Sequence, residues 1–413
     1  MKIYSRVSKL FGTEESSTKW GVLSTLILRI IPSLVLGGIV LVFAILFLPF
    51  VRIRIGRIYS SRLGHFLLET DDYLTRGSES SSDFGFKRRT LDIFFYDGSV
   101  ANSFYAKYLS TKICIFPKSY VLGAYIICRA LALNFFLVPL QQRTIDCSIF
   151  TLDNQNFQFS EEDLLSASKL FQQFPIDFGR EVVCIYIRDS AYEIGLGNNV
   201  QEVGTNYRNN NASSFVPMIK YLLNSNFVVF RMGTVAEEKL EISDSNFVDI
   251  PFSEHKSDLL DFYITSKCSF AISTDTGMTL LPIIFRKPII LANLPGFHSV
   301  LKGSLFKLFT FKKFIDVATR EPLSLRQIVS RGGLQFDNEQ SFRSAGISWV
   351  DNSEEELLEL AREYVEKLRR GLLIDPQNMS AHKSLTAILG SSYSGLSMYL
   401  SENWLSNNPN FLN

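Results

Sequence analysis

From Ile30 to Val51 the chain runs 22 residues without a charge, filled mostly by Leu, Val, Ile and Phe. A helix of roughly 20 such residues crosses a bilayer's hydrocarbon core. Residues 30–51 are therefore expected to form a membrane anchor, behind a basic N-terminal segment, 1–29. No small-residue cleavage site follows, which argues against a removed signal peptide. Lys2, Arg6, Lys9, Lys19 and Arg29 precede the run, and Arg52, Arg54, Arg57 and Arg62 follow it. Basic flanks on both sides fit a single span or a helix dipping into one membrane face.

Beyond the anchor the pattern switches between short apolar runs and helical periodicity. Val51–Ile58, Leu91–Tyr96, Ile113–Phe116 and Phe135–Val138 read as strands, separated by helices near 66–74, 101–109 and 119–133. "RGSESSSDFG" (76–85) reads as a solvated loop. A polar stretch, 153–162, and a short helix to Phe174 make a crossing, and the rhythm restarts. "VVCIYI" (182–187), "FVVFRMG" (227–233), "FVDI" (247–250), the strand ending at Ile272, and 289–291 alternate with helices near 214–224, 257–267 and 278–285. This rhythm predicts an α/β fold of two doubly wound, Rossmann-like domains facing a cleft, 52–165 and 166–370, with 371–413 as a tail. Glu354–Arg370 is charge-rich and amphipathic, and is expected on a solvated outer face.

The charges nearly cancel, at +1, which argues against a nucleic-acid partner. Five cysteines are scattered without a CxxC pair, so buried free thiols are expected. Four histidines, none at ligand spacing, leave no zinc site, and no Asp-x-Asp pair offers a metal its usual carboxylates. No GxGxxG, GxxxxGK[ST] or GxSxG occurs, which removes dinucleotide-binding, P-loop and hydrolase-elbow readings.

The chemistry gathers at the carboxyl ends of the predicted strands. Arg188 and Asp189 follow the first strand of the second domain. Arg231 and Gly233 follow the next, Asp249 ends the third, and Ser273, Thr274, Asp275, Thr276 and Gly277 follow the fourth. Arginine forks bind phosphate oxygens in pairs, and N–H groups at a helix start add neutral donors. Each residue taken singly also fits a capped turn or an ion pair; the set favours a ligand bearing a diphosphate. In the first domain, His65 opens a helix behind a Ser/Gly turn. It can be a structural residue or a base.

"RIYSSRLGHFLLETDDYL", "VCIYIRDSAY", "YRNNNASSFVPMIKYLLNSNFVVFRMG", "SDLLDFYITSKCSFAISTDTG" and "LSNNPNFLN" together resemble a family of bacterial glycosyltransferases of surface carbohydrate synthesis. The resemblance implies the two-domain GT-B architecture. More distantly, "CIYIRDS" is similar to the strand-and-arginine motif of GDP-fucose-dependent fucosyltransferases, and "STDTG" to the donor-diphosphate turn of heptosyltransferases. Carried over, Arg188 matches the phosphate-binding arginine, and Asp275, Thr276 and Gly277 the turn. Tyr186 stands where the fucosyltransferase motif begins with His, and Asp189 where it has a second arginine. Where the glycosyltransferase family's first-domain loop runs on into an Asn-containing segment, this chain has Glu69 and Thr70.

These readings combine into a metal-independent, inverting transferase at the inner membrane, with its catalytic domains cytoplasmic. It would move sugar from a nucleotide-sugar donor to a surface glycan or lipid-linked acceptor. Arg188, Arg208 or Arg231 and the 273–277 turn would hold the leaving diphosphate. His65, Asp189 and Glu193 are the candidate bases, His65 first. A nucleotide-sugar epimerase and a noncatalytic membrane scaffold are the rival readings.

Overall fold

A computed structural model describes residues 19–77, 89–140, 147–195, 204–372 and 379–413, with side chains from residue 30 onward (Leu152 aside). The predicted Ser-rich loop falls largely outside these residues, as do the basic segment up to residue 18 and positions 196–203 of the long polar loop. The chain divides into two units, Met1–Arg143 and Thr144–Asn413.

The first unit opens with helix α1 (Lys19–Leu46) and strand β1 (Val51–Ile58). Helix α2 (Leu63–Arg76), β2 (Arg89–Tyr96), α3 (Ser103–Ser110), β3 (Cys114–Ile115) and α4 (Lys118–Ala130) follow. The three strands form a parallel sheet, with β2 in the centre. The strand expected at 135–138 is a 3-10 turn, Asn134–Phe136, followed by a single parallel bridge from Leu137 to Ile55.

The anchor expected over 30–51 takes a different form. The apolar run is the second part of α1, and Val51 already belongs to the sheet. One side of α1 is taken up by α4: Gly37, Leu41 and Ala44 are buried, and Leu41 shares a cluster with Val121, Leu122, Ala124 and Cys128. Among the described residues no helix is long and apolar enough to cross a membrane.

In the second unit the elements that build and cover the sheet include α5 (Glu161–Phe171), β4 (Glu181–Tyr186), α6 (Val216–Asn224), β5 (Phe227–Met232), β6 (Phe247–Asp249), α7 (Asp258–Lys267) and β7 (Cys268–Ser273). Then come α8 (Leu280–Ile284), β8 (Ile289–Leu294), β9 (Phe306–Phe311), the antiparallel pair β10 (Lys313–Asp316) and β11 (Ile347–Val350), α9 (Glu354–Arg369), β12 (Tyr399–Leu400) and α10 (Glu402–Asn407).

Seven parallel strands lie in the order β12-β9-β8-β7-β4-β5-β6. Strand β4 shows why its sequence reads as continuously apolar. Val183 and Ile185 enter the core beneath α6 and α9, while Val182, Cys184 and Tyr186 enter the opposite core beneath α5 and α7. A parallel strand covered on both faces has no solvent side to make polar. The strand order reverses between β4 and β7: the chain builds outward from β4 to β6, then restarts at β7 on the other side. Ligands in such sheets bind beyond the strand ends at that reversal.

Three further expectations are corrected. The domain boundary expected at 165/166 falls at 143/144, because the segment before α5 packs on the second unit. Phe157 sits against Phe262 and Phe285, and Arg286 donates from Nη2 to the Asn154 carbonyl at 2.9 Å. Residues 379–413 are no tail: β12 extends the large sheet, and buried Trp404 donates from Nε1 to Asn352 Oδ1 at 2.7 Å. Helix α9 is not a solvated face. Its Leu357, Leu360, Ala361 and Val365 are core residues, and its buried Glu363 accepts from Ser401 Oγ (2.6 Å) and Lys367 Nζ (2.7 Å).

Candidate active site

At the reversal point, backbone and side chains tie the two strand ends together. The Thr274 N–H donates to the Tyr186 carbonyl at 2.9 Å, and the Arg188 N–H donates to Thr274 Oγ1 at 2.9 Å. Buried Ser273 joins its hydroxyl to that of Thr279 at 2.7 Å, and Thr276 Oγ1 accepts from the Met278 N–H. The turn is thus braced from within by its own Ser and Thr residues. The helix expected over 278–285 is shorter: a 3-10 turn, Gly277–Thr279, leads into α8.

Two arginines converge on this turn. Arg208 donates from Nε to Asp275 Oδ2 at 2.6 Å and from Nη2 to the Asp275 carbonyl at 3.1 Å. Arg188 reaches Asn209 Oδ1 (3.3 Å) and Glu193 Oε1 (3.4 Å). Their side chains keep 26% and 13% of their accessible surface, so both sit at a rim rather than in the core. Burial and then the neighbouring Arg208 charge lower the Arg188 pKa, and Asp275 and Glu193 oppose the fall. Burial alone would raise the Asp275 carboxyl, but Arg208 and then His298 outweigh it and hold it well below the usual carboxylate range.

Three polar residues here escaped the sequence reading. His298 gives its Nδ1 proton to the Phe336 carbonyl (3.1 Å), which places Nε2 3.7 Å from Asp275 Oδ2. Lys312, at the end of β9, donates to the Asn209 carbonyl (2.6 Å) and pairs with Asp351 at 2.7 Å. Burial pushes its ammonium pKa down, and Asp351 opposes the fall. Asn209 therefore bridges Lys312 and Arg188. The signal for Lys312 was a charge ending the apolar run "FKLFTF", and for His298 a turn following another apolar strand.

Behind the site runs a buried amide chain. The Asn210 N–H donates to the Arg188 carbonyl (2.9 Å), Asn293 Nδ2 donates to Asn210 Oδ1 (3.0 Å), and the Asn352 N–H donates to Asn293 Oδ1 (2.9 Å). Through Asn352 the chain reaches Trp404, so the C-terminal segment supports the Arg188 loop.

Other expected site residues lie elsewhere. Arg231 is 1% exposed and locked between Asp249 Oδ2 (3.4 Å) and Asp189 Oδ2 (3.5 Å), with the Glu238 carbonyl accepting at 2.7 Å. Asp189 also accepts from the Ala191 and Glu237 N–H groups, at 3.1 and 3.0 Å. Burial raises the Asp249 carboxyl. These three therefore form an internal clamp that fastens the loop after β5, and neither Arg231 nor Asp249 reaches out to bind, nor is Asp189 placed as a base. Gly233, at φ +152°, serves the same loop through a backbone shape that side chains rarely adopt. Glu193 orients Arg188.

In the first unit, the turn after β1 is held by the Ser60 N–H donating to Asp97 Oδ1 at 3.0 Å. Helix α2 then begins, and His65 Nδ1 lies 2.9 Å from Glu69 Oε1, one turn on. A carboxylate accepts this bond, so Nδ1 is the donor, and in the neutral ring the lone pair is on Nε2. The His side chain keeps 31% of its surface and the Glu side chain 1%. The buried carboxylate fixes the orientation of the half-exposed imidazole.

Among the described residues no group of three or more His, Cys, Asp or Glu side chains could hold a metal ion. The chain matches no family model and no curated protein. Among solved structures it is similar to ADP-heptose lps heptosyltransferase II of E. coli, at 10% identity over 58% of this chain and 84% of that one, with a TM-score of 0.36. It is also similar to a glycosyl transferase of family 9 from Veillonella parvula DSM 2008, at 10% identity over 76% and 97% of the two chains, TM-score 0.40. A third similar structure is the iron-containing dodecameric glycosyltransferase TibC of enterotoxigenic E. coli H10407, at 10% identity over 62% and 61%, TM-score 0.29.

Proposed function

We propose that the protein is a glycosyltransferase that binds a nucleotide-sugar donor at the β4/β7 reversal and transfers the sugar to a glycan or lipid-linked acceptor. The observation that carries this reading is two neighbouring arginines beside the Ser273–Gly277 turn: Arg208 held by Asp275, and Arg188, tied to Thr274 through its backbone, with its guanidinium on Asn209 and Glu193. Breaking a glycosidic bond to a nucleoside diphosphate builds negative charge on the leaving phosphate. Fixed guanidinium groups offset that charge without a metal ion.

Transfer also needs a group to take the acceptor hydroxyl's proton. His65, oriented by Glu69, offers Nε2 for that role. Direct attack of the acceptor on the anomeric carbon would invert its configuration.

The test has two arms. Calorimetry with a panel of nucleoside diphosphates should reveal one that binds, and radiolabelled sugar from the matching donor should appear in a lipid or glycan extract. Donor binding with sugar isomerised and never transferred would replace this reading with an epimerase. If no nucleotide binds, the reading fails.

A further inference from the structure

We propose that α1 and α4 form an in-plane membrane-docking surface that seats the first unit on an anionic bilayer without spanning it. The inference stands independently of the glycosyl-transfer reading.

Helix α1 is apolar on both of its long sides, and the two sides have different fates. Along one, Ser33, Gly37, Leu41 and Ala44 recur at helical spacing against α4. The approach is close enough that a Cβ on Gly37 would lie 2.2 Å from the Ala124 nitrogen, and one on Gly123 1.7 Å from the Ser33 carbonyl oxygen. The same spacing stands on both helices: Ser33 and Gly37 in "SLVLG", Ser119 and Gly123 in "SYVLG". Small residues four apart let helices meet backbone to backbone, a packing mode common where lipid is the solvent.

Along the other side, Ile31, Val35, Ile39, Val42, Phe43 and Leu46 are each 49–64% exposed, and Phe50 beyond the helix is 76% exposed. Helix α4 adds Tyr120, 55% exposed. A helix on a water-facing surface carries polar residues there. A stripe this long and uniformly apolar marks an interaction surface.

Charge selects the partner. The first unit carries 18 Lys and Arg against 9 Asp and Glu, while the second carries 24 against 32. The near-zero total hides a basic unit joined to an acidic one. An apolar stripe on a basic body suits a surface that is apolar within and anionic at its rim, which describes a bilayer containing acidic lipids. Length selects the mode. The uncharged part of the helix, Ile30–Leu46, extends about 25 Å at 1.5 Å per residue, short of the roughly 30 Å hydrocarbon core, and Arg29 stands at its start.

Full-length protein should co-float with phosphatidylcholine vesicles containing about one third phosphatidylglycerol, and bind pure phosphatidylcholine vesicles about tenfold more weakly. High salt should shrink that difference. Val35→Asp with Val42→Asp should lower binding to the mixed vesicles by about tenfold or more. Leu164→Asp with Leu165→Asp, an equal loss of exposed apolar side chains on α5, should leave it unchanged. Should the α1 variant fail to fold, single variants Val35→Trp and Phe47→Trp (Phe47 is 49% exposed just past the helix) read the same surface through quenching by brominated lipid. Quenching of both by bromine near the headgroups supports the in-plane mode. Quenching of Val35→Trp only by bromine at the bilayer centre overturns it in favour of a span. Absence of vesicle binding by the native chain, or dispersal of a dimer by the α1 variant with no change in vesicle binding, overturns the proposal as well.

Discussion

Two margins of the same sheet carry arginine–aspartate pairs, and they do different work. Beyond β5 and β6, Arg231 lies inside the protein between Asp189 and Asp249, its side chain 1% exposed. Beyond β4 and β7, Arg208 holds Asp275 and Arg188 leans on Asn209 and Glu193, with both guanidinium groups reaching the surface. In sequence the two margins look alike: an apolar strand, then a charge. The strand order separates them. Doubly wound sheets bind ligands at such a reversal point, whereas beyond β5 the connection folds back as 233–240 and covers the arginine.

The most damaging way to test this contrast is Arg231→Met. Removing one partner of a buried ion cluster leaves Asp189 and Asp249 uncompensated, an expected loss of about 3–5 kcal/mol. Denaturant unfolding would measure it. Nucleotide affinity of the molecules that remain folded should stay native. A well-folded variant that no longer binds nucleotide would move Arg231 into the site and abolish the distinction.

Arg188→Ala should behave in the opposite manner. Its side chain supports no core, so the melting temperature should move little. Affinity for the nucleoside diphosphate should fall about 10- to 100-fold, the worth of one or two charge-assisted hydrogen bonds at roughly 1.5–3 kcal/mol. Calorimetry on the folded variant decides. Unchanged affinity would remove the chief residue from the proposed function.

Asp275→Asn tests the turn itself and should cost about 1–3 kcal/mol at neutral pH. The Arg208 guanidinium holds the folded carboxyl below its unfolded value, so its contribution is present above about pH 4 and is lost as pH falls. Native and variant stabilities should therefore converge in acid. A gap that stays constant down to low pH would mean that the ion pair contributes nothing.

The sequence carried the sheet further than it carried the site. Strand β4 was legible because burial on both faces leaves a run with no polar position, and "VVCIYI" has none. Strand β12 was not, because two residues, Tyr399 and Leu400, are too few to show a period. Helix α9 misled for another reason: its Glu356 and Glu363 are paired inside with Lys313, Lys367 and Ser401, and composition does not reveal pairing. Arg188 and Asp275 come together because both stand just beyond strand ends at the reversal, while Arg231, which the same rule selects, is turned inward. Glu69 is the reverse case. Its value lies in standing one helical turn from His65 with its carboxylate buried, which only the packing of α2 decides.

The last contrast, and the one that depends most on pH, concerns a carboxyl with no cation among its described partners. Asp261 of α7 is buried beneath β4 and β7, near Cys184 and Tyr186, and its Oδ1 has no hydrogen-bond partner. Burial, and then the charge of Asp258, push its pKa up to about 8. It completes the series that Arg231 and Arg208 begin: a carboxylate clamped in the core, one paired at the rim, and one left to stay protonated. The folded state keeps this proton where the unfolded chain has released it, so stability should fall as pH rises from about 4 toward 8, by at most about 1.4 kcal/mol per pH unit. Asp261→Asn cannot ionise. Its stability relative to the native chain should therefore climb across that window and level off outside it. Denaturant midpoints at several pH values would show the divergence. A variant whose curve runs parallel to the native one would mean that Asp261 finds a charge partner on folding, and the core would then hold its acids by pairing alone.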